Sequence, residues 1–107
     1  MALFNINAQP VGNVTKITLG FGDPASNDAI VKEVSATLAG LNLMGQVALI
    51  NGPASLPVAM VIAHAVIHRF GAVGVFDPKL GSYVCVASHG GSHTLGDLIP
   101  EPEVATV

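Results

Sequence analysis

Residues 46–89 read QVALINGPASLPVAMVIAHAVIHRFGAVGVFDPKLGSYVCVASH, and the order of apolar runs and breakers in this stretch decides the fold. Gln46 to Ile50 is a short apolar run of strand length, halted at Asn51-Gly52-Pro53, a cluster that a strand does not continue through. From Ala54 to Phe70 the chain is apolar and free of glycine. That predicts a helix with Ser55 at its N-cap, Pro57 tolerated in the first turn and Gly71 as its stop. Ala72 to Phe76 has strand character, Asp77 to Gly81 (DPKLG) is turn chemistry, and Ser82 to Ala87 alternates as a return strand. Strand, helix, strand predicts a right-handed parallel crossover followed by a β-hairpin. Ligands of such units lie beyond the carboxyl ends of the parallel strands, where Asn51-Gly52-Pro53 and Asp77 should emerge together.

Upstream, Leu3 to Ile6 and Val14 to Leu19 read as two strands joined through Asn7 to Asn13, which contains Pro10 and Gly12. In Ala25 to Leu38, Ile30, Val31, Val34 and Leu38 recur at helical spacing, with Asp23 or Ser26 as N-cap and Gly40 as the stop. Asn27, Asp28, Lys32 and Glu33 form its solvated face. Downstream, Gly90-Gly91 beside His89 and His93 reads either as a surface loop or as a flap that approaches a ligand closely, and Pro100 to Val107 reads as a frayed terminus. The expectation is one α/β domain over residues 1–107, an α+β sandwich with a small mixed sheet and two helices.

Composition narrows the function. Half the residues are hydrophobic, a tenth are charged, and the mean hydropathy is +0.61, which for a chain of 107 residues predicts a surface buried in a homo-oligomer. The apolar run Val58 to Ile67 is interrupted by His64 and is shorter than the roughly 17–25 residues of a membrane span. The start MALFNINAQ lacks the pattern of a secretory signal, so the expected location is cytoplasmic. Cys85 is the lone cysteine, flanked by Val84 and Val86, and reads as a buried strand residue. The net charge is −3 and the permanent cations are Lys16, Lys32, Arg69 and Lys79, so there is no basic stripe for duplex DNA. A small anionic ligand held by backbone NH groups remains open.

Several residues could carry chemistry. His64 and His68, four apart on a helix, share a face and could ligate a metal or supply acid and base; equally, His64 could be a core histidine and His68 a partner of the last helical carbonyls. Asp77 reads as an Asx-turn residue or as a hard oxygen ligand or general base. Lys79 is either solvent-facing or a point charge for phosphate. Ser88 and His89 end the return strand, in a place that spacing alone does not fix. Asn51, Gly52, Pro53 and Ser55 could hold phosphate or ribose at the helix start. With no second carboxylate near Asp77, the pattern argues against a two-metal hydrolase.

The run GPASLPVAMVIAH, the later His68, the run VFDPKLGSYVCVASH and the pair Gly96-Asp97, in that order, resemble the small ring nucleases of type III CRISPR systems known as the Csx-three or Crn-three family. The resemblance covers roughly Ala48 to Ile99. It implies a manganese-dependent nuclease that opens the second messenger cyclic tetra-adenylate and so switches antiviral signalling off. It carries Asp77 over as the metal-associated aspartate, His89 as the histidine of the SH element beside it, and His64 and His68 as the two helix histidines, which makes these four the expected catalytic residues and Asp77 and His89 the expected metal residues; Lys79 and Ser88 join the Asn51, Gly52, Pro53 and Ser55 turn read above as the expected substrate-binding residues. Lys79 stands where the family commonly has arginine, which keeps the charge and loses the planar fork. The family can carry two adjacent histidines where this chain has Ile67-His68. The resemblance further implies a homodimer, with two dimers stacking head to tail around one ring and able to extend into filaments. Whether a ribose hydroxyl or a metal-activated water attacks stays open. The competing readings are a non-catalytic cyclic-oligoadenylate sensor and a structural subunit or detached half of a longer fusion.

Overall fold

A computed structural model describes residues 2–90 and 93–102. Gly91, half of the glycine pair read as a loop or flap, lies outside the described residues, as does most of the expected frayed terminus, residues 103–107. The elements follow in the order β1 (Phe4–Val11), β2 (Val14–Phe21), α1 (Asn27–Gly40), β3 (Gly45–Asn51), α2 (Leu56–Ile67), β4 (Phe70–Asp77), β5 (Ser82–Ser88) and β6 (Leu98–Ile99). The strands make one mixed six-stranded sheet in sequence order. β2, β3 and β4 run parallel, and β1, β5 and β6 join antiparallel. The expected class, crossover and hairpin are all present.

Both helices lie on one face. Val58, Ile62 and Val66 of α2 and Ile30, Val34 and Leu38 of α1 are buried there with Ile17, Leu19, Ala48, Ile50 and Val73 from the strands. The apolar, glycine-free run predicts α2 to Phe70, with Gly71 as its stop. The helix instead stops at Ile67, and Phe70 and Gly71 open β4. Strand pairing claims these residues before the glycine is reached. Gly45 N–H donates to Arg69 O at 3.2 Å, and Phe70 stays buried at the start of the strand.

β1 runs on through Asn7 and Pro10 to a two-residue turn at Gly12-Asn13, so the expected break is absent. An outer strand tolerates the proline, whose missing N–H costs no ladder bond on the open side. Glu33 also departs from the solvated face assigned to it. Its Oε2 accepts from Leu3 N–H at 2.7 Å and Phe4 N–H at 3.0 Å, tying α1 to the start of β1.

The second face carries Val47, Leu49, Ala72, Tyr83, Cys85 and Ile99. Cys85 lies on this face and Ala87 on the helix face, because the β4–β5 register shifts between Val73 and Gly74 and leaves Val86 as the extra residue of a bulge. β6, unforeseen as a strand, closes this face, and the chain after it crosses toward β2. Glu101 Oε2 meets Lys16 Nζ at 2.9 Å, while its Oε1 accepts from the buried Tyr83 hydroxyl at 3.1 Å. A Cβ at Gly74 would sit 3.0 Å from Leu49 Cδ2, 3.2 Å from Tyr83 Cβ and 3.4 Å from Ile99 Cδ1, so glycine leaves room for these side chains to meet on the second face.

Candidate functional site

The polar groups fall on two rims, the carboxyl and amino ends of the parallel strands. At the carboxyl rim, Asn51 and Asp77 end neighbouring strands whose last registered pair is Ile50 with Val75, so they emerge together as the sequence predicts. Asp77 serves its turn. Its Oδ1 accepts from Lys79 N–H at 2.8 Å and Leu80 N–H at 3.3 Å, and its carbonyl accepts from Gly81 N–H at 2.8 Å. The other carboxylate oxygen has no hydrogen-bond partner among the described residues, so the turn and a ligand can use the same side chain. The Lys79 side chain is exposed beside it.

Gly52 adopts φ 126°, and a Cβ there would collide with the Leu19 carbonyl, so this glycine lets the chain pass over β2. Pro53 is exposed. Ser55 caps α2, its Oγ accepting from Val58 N–H at 3.5 Å, a long bond. A cavity of about 210 Å³, walled mostly by apolar groups, opens between this turn and the helix, with Asn51, Gly52, Ala63, Val75 and Phe76 among its walls. On the second face the Tyr83 phenol is pushed up to about 12 by burial and by Glu101, with the Asn51 side chain opposing.

At the amino rim stand the C-terminal end of α2 and the end of β5. His64 and His68 are exposed rather than core, and their rings meet edge to face with centroids 5.2 Å apart. His89 is exposed, its backbone N–H donating to Gly71 O at 2.8 Å. Ser88 Oγ donates to His93 O at 2.6 Å and accepts from Gly90 N–H at 3.3 Å, so this hydroxyl shapes the loop after β5. Arg69 is not free for an anion. Its Nη1 donates to the carbonyls of Leu38 at 3.1 Å and Leu41 at 2.9 Å, closing the end of α1. A polar cavity of about 410 Å³ opens on this rim between Asn13, Gln46, Gly71, Gly90 and His93.

One chain does not bring the anticipated metal pair together. Asp77 pairs with Ser82 and Ala72 with Ser88, so Asp77 and His89 stand at opposite ends of one hairpin. Five residues of strand separate those levels, about 17 Å at 3.3–3.4 Å per residue. Among the described residues no group of three or more His, Cys, Asp or Glu side chains could hold a metal ion. Sequence reading passed over the Lys16–Glu101–Tyr83 link and the Asn13–Gln46 pair. Only the single tyrosine at an inward strand position hinted at the first.

Gly96-Asp97, part of the motif series, has a structural part to play. Gly96 N–H donates to Cys85 O at 2.9 Å, and Cys85 N–H to Asp97 O at 2.8 Å. Asp97 Oδ2 accepts from Thr94 N–H at 2.8 Å, and bonds from Thr94 hold this carboxyl below its ordinary range. The turn thereby docks β6 onto β5.

A parallel crossover with polar turns at the strand ends, closed by a docked C-terminal segment, defines a small α/β protein with its candidate chemistry on the two rims. The family described as CRISPR-associated protein (Cas_csx3) matches residues 23–100, well over half of the chain, and the chain belongs to that family. No curated protein matches it. The matched region takes in α1 and β3 as well as the motifs that follow them.

Proposed function

We propose that this protein is a ring nuclease that opens cyclic tetra-adenylate in a manganese-dependent reaction and thereby ends type III CRISPR signalling. Family membership supports the setting. The observation that carries the reading is the segregation of groups: Asp77 and Lys79 on one rim, His64, His68 and His89 toward the other, and about 17 Å between the levels of Asp77 and Ser88, the residue before His89. Each chain therefore presents two half-sites, which a head-to-tail stack of two homodimers completes by setting the carboxyl rim of one against the amino rim of the next. The exposed Leu56 and Met60, 76% and 65% accessible on one face of α2, support association between copies.

The donor set fits manganese across such a contact, though not within one chain. Asp77 offers a free carboxylate oxygen and His89 an exposed imidazole, a hard oxygen and a nitrogen of the kinds this ion accepts. Manganese held by Asp77 and His89 would supply Lewis-acid polarisation of a phosphoryl oxygen. The chain's own groups do the rest. The exposed His64 and His68 imidazoles supply proton transfer. Lys79 and the Asn51-Gly52-Pro53-Ser55 turn hold phosphate or ribose at the carboxyl rim. Ser88 sets the path of the loop that carries His89.

Labelled cyclic tetra-adenylate incubated with the protein and Mn²⁺ should yield linear product, and chelator should stop it. Tight binding of an intact ring under both conditions would make the protein a non-catalytic sensor.

A further inference from the structure

The amino-rim cavity of about 410 Å³ takes no part in the chemistry above, and its lining is selective. Its side chains include neither a carboxylate nor a permanent cation, so it is built for neither a metal nor a phosphate. What it offers is two amides and an imidazole over a floor kept low by Gly45, Gly71 and Gly90. Gly90 adopts φ 98°, a conformation suited to glycine, and a Cβ at Gly71 would press within 3.1 Å of the Gln46 carbonyl.

The amides are already paired with each other. Asn13 Nδ2 donates to Gln46 Oε1 at 3.2 Å, which leaves the Asn13 carbonyl oxygen as an acceptor and the Gln46 amide nitrogen as a donor. Exchanging O and N in both amides preserves the bond and still leaves one donor and one acceptor, so the offer is independent of their assignment. Both side chains are exposed, and the bond between them keeps the two amides together at the cavity's edge. A neighbouring donor and acceptor match a base edge that presents an amine beside a ring nitrogen, and an amide reads adenine in this way. The His93 imidazole supplies a flat surface for stacking. Its backbone is fixed by the 2.6 Å bond from Ser88 Oγ. The volume falls in the range of small-molecule sites.

We infer that this cavity is a nucleobase pocket in which Asn13 and Gln46 read the edge of an adenine while His93 stacks on its face. The identity of the base rests on the cyclic tetra-adenylate reading, which it deepens. In the head-to-tail stack the two amino-rim pockets of one dimer face a given ring and take two of its four bases.

The test measures binding in chelator, so that no ring is opened, for wild type, Asn13→Ala, Gln46→Ala and His93→Ala. The probes are cyclic tetra-adenylate and a cyclic tetra-inosinate, which lacks the amine. Wild type should prefer the adenylate by about tenfold or more, and Gln46→Ala should lose both that affinity and the preference. If wild type binds the two rings equally, or if the Ala variants keep the preference, the pocket is overturned while the nuclease reading stands. If wild type binds neither ring, the nuclease reading fails and the pocket is judged on adenosine alone. Millimolar adenosine should shift the His93 imidazole resonances, identified by their loss in His93→Gln, more than inosine does. Resonances unmoved by adenosine overturn the inference.

Discussion

The carboxyl rim and the amino rim of this sheet are assembled by different means. At the carboxyl rim the backbone does most of the shaping: Gly52 and Gly81 take positive φ, and Asp77 bonds the N–H groups of its own turn. At the amino rim, side chains gather from distant places, His64 and His68 from α2, His89 from the end of β5 and Arg69 from the connection before β4. The acid sits on a turn that it bonds itself and the imidazoles on the rim assembled from several elements. A strand of eight residues holds the two apart, so the fold itself prevents one chain from joining them. Chemistry that needs both rims needs two chains, and the scarcity of cations per chain points the same way.

The comparison predicts its largest effects at the two rims separately. Asp77→Asn keeps the acceptor used by the turn and removes the charge, while His89→Ala trims an exposed side chain. Each should lower ring opening by roughly 10²-fold or more, because losing a manganese donor forfeits charge stabilisation worth several kcal/mol, with the melting temperature nearly unchanged. Rate assays alongside thermal melts check this, and a lost fold in either variant would break the separation of turn from chemistry. Arg69→Met should cost about 1.5–3 kcal/mol of stability, because two carbonyls at the end of α1 lose a charged donor. Denaturant unfolding measures it.

Tyr83 links the second face to the carboxyl rim, and as the only tyrosine its ionisation is read directly by ultraviolet absorbance. Its pKa stands at about 12 when folded, against 10.0 ordinarily. The raised value means the neutral form is favoured by folding. The contribution is fully present below about pH 10 and is lost as pH rises toward 12. Unfolding curves at rising pH should weaken across that window, and Tyr83→Phe should flatten the dependence. The smallest effect belongs to Ser55→Ala. A cap is worth about 0.5–2 kcal/mol, and the 3.5 Å bond places this one near the lower end. A large fall in ring affinity in the folded variant would show that Ser55 also holds substrate.

Much of this was legible in the sequence because the breakers are strong. Asn51-Gly52-Pro53 and Asp77 to Gly81 separate apolar runs of clear length, and from them the crossover, the hairpin and the joint emergence of Asn51 and Asp77 follow. Phe70 misled because an apolar, glycine-free run does not show where a helix ends and a buried strand begins, and Gly71 proved to lie inside β4. β6 was hidden because two residues make no pattern. The bulge at Val86 breaks the alternation that would have assigned Cys85 and Ala87 to faces. Glu33 looked solvated since its partners, the N–H groups of Leu3 and Phe4, lie about thirty residues away. The candidate site residues could be named, but spacing alone did not place His89, because the bulge at Val86 and the bond to Gly71 O that fix its position leave no pattern in the sequence.

The most direct measurement mixes Asp77→Asn protein with His89→Ala protein and assays opening of cyclic tetra-adenylate with Mn²⁺. If a site forms from the carboxyl rim of one chain and the amino rim of another, random mixing at equal amounts should restore roughly one quarter of wild-type activity, since each half-site is intact in half of the chains. If both variants fold, associate and bind the ring and the mixture stays as inactive as its components, the site is not shared between chains and the account is wrong.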